Sequence, residues 1–109
     1  MVRIELVKAD GLFCGFSAKG HAGCGDPGED IVCAAISAIM QTAVGGITET
    51  ANIPAGVSLR EGDLLCTVDR DADRRQSEDA DLLIRTMQQG LSAIQQQYPK
   101  ALKIMVREV

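Results

Sequence analysis

The sequence predicts an α+β fold in two layers, a mostly antiparallel sheet with two helices in the order ββαββαβ. Three observations carry that expectation. Short segments with period-two alternation lie at the two ends of the chain and near its middle. Two longer segments between them repeat their apolar residues at helical spacing. Turn residues punctuate the alternating segments at hairpin positions. With 109 residues, the chain suits one domain over 1–109, large enough to bury roughly two-thirds of its unfolded surface.

"MVRIELVK" places Val2, Ile4 and Leu6 on one face and Arg3, Glu5 and Val7 on the other, a half-buried strand. Asp10-Gly11 is a hairpin turn signal, so "LFCGFSAK" is the partner strand, with Gly15 a weak point or bulge. Asp30 to about Ala51 reads as a helix, with Val32, Ile36, Met40, Ala43, Val44 and Ile47 in one stripe. Its opposite side is also rich in alanine and isoleucine, which suits a central helix or an oligomer interface. "IPAG" ends it. "GVSLREGDLLCTVDR" holds two short alternating runs around Glu61-Gly62-Asp63, a second hairpin. The second helix follows, with Ser77 as candidate N-cap and Ala80, Leu83, Ile84, Met87, Leu91, Ile94 and Tyr98 as its apolar stripe. Pro99 stops it, and "ALKIMVREV" alternates again as a last strand.

Composition narrows the function. Apolar residues make up 46 % and aromatic residues only 3 %, without tryptophan. That argues against disorder and against a base-stacking nucleic-acid module. The net charge of −4 repels phosphate backbones and favours basic partners, though only weakly at cellular salt, so no nucleic-acid partner is expected. The first ten residues show no signal-peptide core. Ile31 to Met40, the longest apolar run, is too short to span a bilayer, so a cytoplasmic protein without a membrane partner is expected. In that compartment the four cysteines read as free thiols, metal ligands or a catalytic group before disulfides. The eight acidic residues from Glu61 to Asp81 read as a solvated turn and helix start.

The stretch with chemistry in it is "GHAGCGDPGEDIVC", Gly20 to Cys33, which holds the one histidine, two cysteines and four glycines. With Asp30 as N-cap, Cys33 becomes the third helical residue, facing free N–H groups and the positive end of the helix dipole. That setting makes thiolate available near neutral pH. The glycine-rich loop lets His21 fold back toward Cys33 as its base. Asp30 is either the cap or the group that orients the imidazole. The N–H groups of Cys33 and Ala34 are candidate oxyanion donors, and Gly20 and Ser37 are further candidates for oxyanion or substrate contact. For Ser37 a hydroxyl bonded to its own helix backbone is favoured. A zinc site of His21, Cys24 and Cys33 with Cys14 or Cys66 is the rival chemistry, but the spacing matches no common zinc motif. Cys14 shares alternation with Leu12 and Phe16, and Cys66 sits in "LLCTV", so both look like core residues.

The pattern GHA, a glycine- and acid-rich loop, then DIVCAAISA resembles the ribosomal-processing cysteine protease (Prp) family, and the likeness extends along the whole chain. The resemblance implies a homodimeric thiol endopeptidase without cofactor or metal. It also implies a substrate, the short N-terminal extension of a large-subunit ribosomal protein, removed during ribosome assembly by cleavage after an aromatic residue. The family's histidine corresponds to His21, its nucleophile to Cys33 and its aspartate to Asp30. Its mobile loop corresponds to Ala22–Glu29, a lid that orders on the peptide. Cys24 is not typical of that loop. An alternative within reach of the same residues is a non-catalytic ribosome-assembly module that holds a basic peptide in the groove.

Overall fold

The computed structural model describes residues 1–20 and 27–109, with the backbone alone for 27–30. The elements follow the expected order: β1 (Val2–Ala9), β2 (Leu12–Lys19), α1 (Pro27–Gly45), β3 (Ala55–Arg60), β4 (Asp63–Val68), α2 (Arg74–Gln97) and β5 (Leu102–Glu108). The strands form one sheet in the order β3-β4-β2-β1-β5. Every pairing is antiparallel except β1 with β5. The α2 helix carries the chain back across the sheet, and this crossover permits the parallel pairing of β5.

Local chemistry sets the turns. Asp10 and Gly11 both have positive φ (53° and 81°), as a type I′ hairpin turn requires. Gly62 (φ 71°) closes the β3–β4 turn. α1 starts at Pro27, three residues before the expected start at Asp30. Proline suits that first position because its missing N–H would be unpaired there anyway. α1 runs into one π-helical turn, Gly46–Thr50, and Asn52 (φ 53°) leads the chain out. α2 is capped by Asp73, not Ser77. The Asp73 carboxylate accepts the Gln76 N–H at 2.8 Å, and the Gln76 side chain accepts the Asp73 N–H at 2.9 Å. This reciprocal box satisfies two otherwise free donors, which Ser77 does not do.

Both helices lie on one face of the sheet. Val32, Ile36, Met40 and Ile47 of α1 pack with Ile84, Met87 and Leu91 of α2 over Ile4, Leu6, Phe16, Leu64 and Cys66. Each large apolar side chain buried in this way contributes about 1.5–3 kcal/mol. Residues Ile31–Thr50 are long and apolar enough, at mean hydropathy 1.8, to cross a membrane, contrary to the expectation that no segment is. Here their Val32–Ile47 stripe faces the core.

The alternation of β2 breaks at a bulge. Val7 pairs with Gly15 but Lys8 with Phe13, so Cys14 is the extra residue. Phe13 takes the core position, and Cys14 turns to the other face, beside Glu5, Ser17, Leu65 and Arg107. The expectation of Cys14 as a core residue is therefore corrected. That of an irregularity next to Gly15 agrees with the structure. The Asp81 carboxylate of α2, itself buried, accepts the Phe13 N–H at 2.8 Å and pairs with Arg85 at 2.9 Å.

Candidate active site

Cys33 is the seventh residue of α1. It is partly buried and packs against the core. It opens into a groove of about 200 Å³ at one end of the sheet. α1 supplies Cys33, Ser37 and Met40 to the groove. The end of β2 supplies Ala18 and Gly20, and the β3–β4 hairpin supplies Leu59, Arg60, Gly62 and Asp63. Cys33 and Ser37 are neighbours here because residues four apart share a helix face.

The earlier helix start changes what surrounds Cys33. The free N–H groups of a helix belong to its first turn, here to Gly28, Glu29 and Asp30, since Pro27 has none. Asp30 lies inside that turn, and its side chain, on which the cap and orienting roles rest, is outside the described residues. Cys33 and Ala34 fall beyond the free donors, and the helix start does not make oxyanion donors of their N–H groups. Gly20 N–H is also taken, donating to the Gly62 carbonyl at 3.0 Å. Ser37 differs from expectation in another way. Its Oγ accepts from Gln41 Nε2 at 2.9 Å, while the back-bonds to helix carbonyls are made by Thr42 and Thr48. Among the described residues the Ser37 hydroxyl proton has no acceptor, and Ser37 lines the groove.

Gly20 is a constrained corner. Its φ is +96°, and a Cβ there would stand 2.7 Å from the Met1 carbonyl oxygen. No side chain fits without moving β1. The residue ahead of His21 is thus pinned between β1 and the hairpin. His21, Cys24 and the loop residues 22–26 lie outside the described residues, as do the side chains of 27–30. The expectations of a Cys-His pair, an orienting Asp30 and a lid fall on that segment.

The other described cysteines sit in different chemistry. Burial pushes the Cys66 thiol up to about 11. Cys14 is raised as well, mainly by burial, with Arg107 pulling the other way. Both stay thiols at neutral pH, and neither lines the Cys33 groove. Cys66 is wholly buried and Cys14 is on the far face of the sheet, and among the described residues no three His, Cys, Asp or Glu side chains are grouped to hold a metal ion. Nothing local in the sequence marks Leu59, Arg60 and Asp63 as groove residues, because they arrive through sheet pairing with a strand far along the chain.

A partly buried thiol on a helix, opening into a groove walled by a hairpin, suits a thiol hydrolase whose nucleophile must be reached by substrate. The profile of the cysteine protease Prp family matches residues 1–103, and the chain belongs to that family. The solved structures agree in fold. SMU.848 from Streptococcus mutans superposes with a TM-score of 0.85 at 22 % identity, over 100 % of this chain and 96 % of that one. An essential ribosomal processing protease Prp from S. aureus, with a covalently linked product peptide, gives 0.82 at 23 % identity, over 98 % of this chain and 100 % of that one. The same protease with a substrate peptide gives 0.82 at 22 %, with the same coverage. No curated protein matches the chain.

Proposed function

We propose that this cysteine protease removes the N-terminal extension of a large-subunit ribosomal protein during ribosome assembly in the cytoplasm. The observation that carries the reading is the Cys33 groove on a chain of this family, together with relatives of the same fold that bind substrate and product peptides. Cys33 Sγ attacks the scissile carbonyl carbon, and His21 takes the thiol proton. The C–N bond then breaks, with His21 returning the proton to the leaving amine, and water hydrolyses the thioester. Asp30 orients His21. Of the donors considered for the oxyanion, Ser37 Oγ–H is the one left free in the described structure, and it takes that role.

The protease acts as a homodimer. The outward side of α1 exposes Ile31 (70 %), Ala34 and Ala38 beside the polar Ser37, Gln41 and Thr42. It borders a groove of about 360 Å³ between the helices, lined by Ile39, Leu83, Met87 and Gly90 among others. A second copy of the same face covers it. Light scattering at micromolar concentration should give twice the chain mass, and a monomer mass would remove this element of the reading.

Alkylation with iodoacetamide at neutral pH tests the chemistry. One cysteine, Cys33, should react fast, with loss of peptide cleavage in step with its modification. Uniformly slow cysteines would favour a peptide-holding module.

A further inference from the structure

The sheet face turned away from the helices carries charge that the protease reading does not use. Pairing places Arg60, Asp63, Lys19, Arg3 and Lys103 side by side in one row across β3, β4, β2, β1 and β5. All five are exposed. Their strand neighbours Leu64, Val2 and Leu102 point into the core, which fixes the row on the outer face. Among the described residues none of the four cations is in an ion pair. The pairs that form are Arg74–Glu78, Arg85–Asp81 and Arg107–Glu5.

Lys19, Arg3 and Lys103 stand directly opposite one another, an arrangement that destabilises a sheet. At ~4.8 Å per strand the row is roughly 19 Å long. The next row, Ser58, Leu65, Ser17, Glu5 and Met105, brings one charge, and Arg107 takes that up at 3.0 Å. In a chain of net charge −4 this is a local concentration of positive charge.

We propose that this strip binds the phosphate backbone of RNA. The proposal rests on the reading that the substrate is a ribosomal precursor, a protein bound for ribosomal RNA. Four cations in one row, interrupted by Asp63 and in no ion pair among the described residues, match a polymer whose charges repeat regularly, and such contact fixes position without reading sequence. It needs no aromatic platform, so the scarcity of aromatic residues does not oppose it. The adjacent row exposes two large apolar side chains, Leu65 and Met105, less than the continuous apolar face that insertion into a bilayer needs. Arg60 also lines the Cys33 groove, so RNA held on the strip lies next to the hairpin that walls the site. It departs from the expectation of no nucleic-acid partner, which rests on the scarcity of aromatic residues and the net charge of −4.

The test compares wild type with R3Q/K103Q, two positions outside the groove, using a fluorescent oligouridylate over a salt series. Wild type should bind with log K falling against log salt at a slope of about −2 to −3, from ~0.7 per phosphate contact. The variant should bind at least about tenfold more weakly at the lowest salt, with the slope shallower by about 1.4. It should melt no lower than wild type, since it loses like-charge repulsion. Both should cleave a free precursor peptide at the same rate. No binding by wild type at low salt, or equal binding by the variant, overturns the proposal. Tighter binding to phosphatidylglycerol vesicles than to the oligonucleotide overturns it in favour of a membrane. If neither protein cleaves the peptide, the protease reading fails, while the RNA comparison still decides this one.

Discussion

The backbone N–H of Gly20 donates to the carbonyl oxygen of Gly62 at 3.0 Å. This one bond ties the residue ahead of His21 to the hairpin whose strands wall the Cys33 groove. The positive φ of Gly20 and the nearness of the Met1 carbonyl fix the direction in which the chain leaves β2.

Gly20→Ala should therefore damage activity more than fold. A Cβ forces β1 and β2 apart at their ends and shifts the start of the His21 segment. A displacement of about 1 Å can cost on the order of 100-fold in rate. The expected result is a fall in kcat of at least about tenfold with the helical circular dichroism retained. Unchanged kcat would show that this corner does not position the site.

Asp81 should matter for stability alone. Its carboxylate is the partner of the Phe13 N–H at the bulge, and a buried donor left without a partner costs about 1–3 kcal/mol. Asp81→Ala should lower Tm by on the order of 10 °C, with peptide cleavage at lower temperature near that of wild type. An unchanged Tm would mean the bulge holds without it.

Ser37→Ala should lower kcat by about 100-fold with KM little changed, if its hydroxyl meets the oxyanion only in the transition state. Equal rates for the two proteins would remove Ser37 from the mechanism.

Stability should fall in alkali. The Cys66 thiol is held at about 11 against an ordinary value of 9.0. The unfolded chain therefore ionises first as pH rises. The stabilisation is fully present below pH about 9 and is lost as pH climbs through about 11. Tm should decline more steeply over that interval in wild type than in Cys66→Ala. Parallel declines would contradict the assignment. Cys14, raised in the same direction, keeps part of the slope in the variant.

Much of this molecule was legible in its sequence, where the governing chemistry is local. The Val32–Ile47 stripe follows from helical spacing, and Asp10-Gly11 from the two positive φ angles of its turn. Cys33 stands out by the glycine-rich stretch with the one histidine ahead of it, and Ser37 by lying one helical turn further on. What depends on distant contacts was not legible. The bulge exchanges Phe13 for Cys14 in the core, and its stabilising partner Asp81 lies 68 residues away. Leu59, Arg60 and Asp63 reach the groove through strand pairing. The helix starts were misplaced by a few residues because each has several capping residues in a row. Asp73, Ser77 and Asp79 all compete on composition, and geometry selects Asp73.

The central claim is that Cys33 cleaves a ribosomal precursor. The most direct measurement is intact mass of a large-subunit ribosomal protein, with its N-terminal extension, after incubation with wild type or Cys33→Ala. Wild type should release the extension at one bond, following an aromatic residue. The alanine variant should leave the precursor whole, slower by at least about four orders of magnitude, and still bind it. Cleavage by Cys33→Ala at a comparable rate, or an uncut precursor with wild type, would contradict the account.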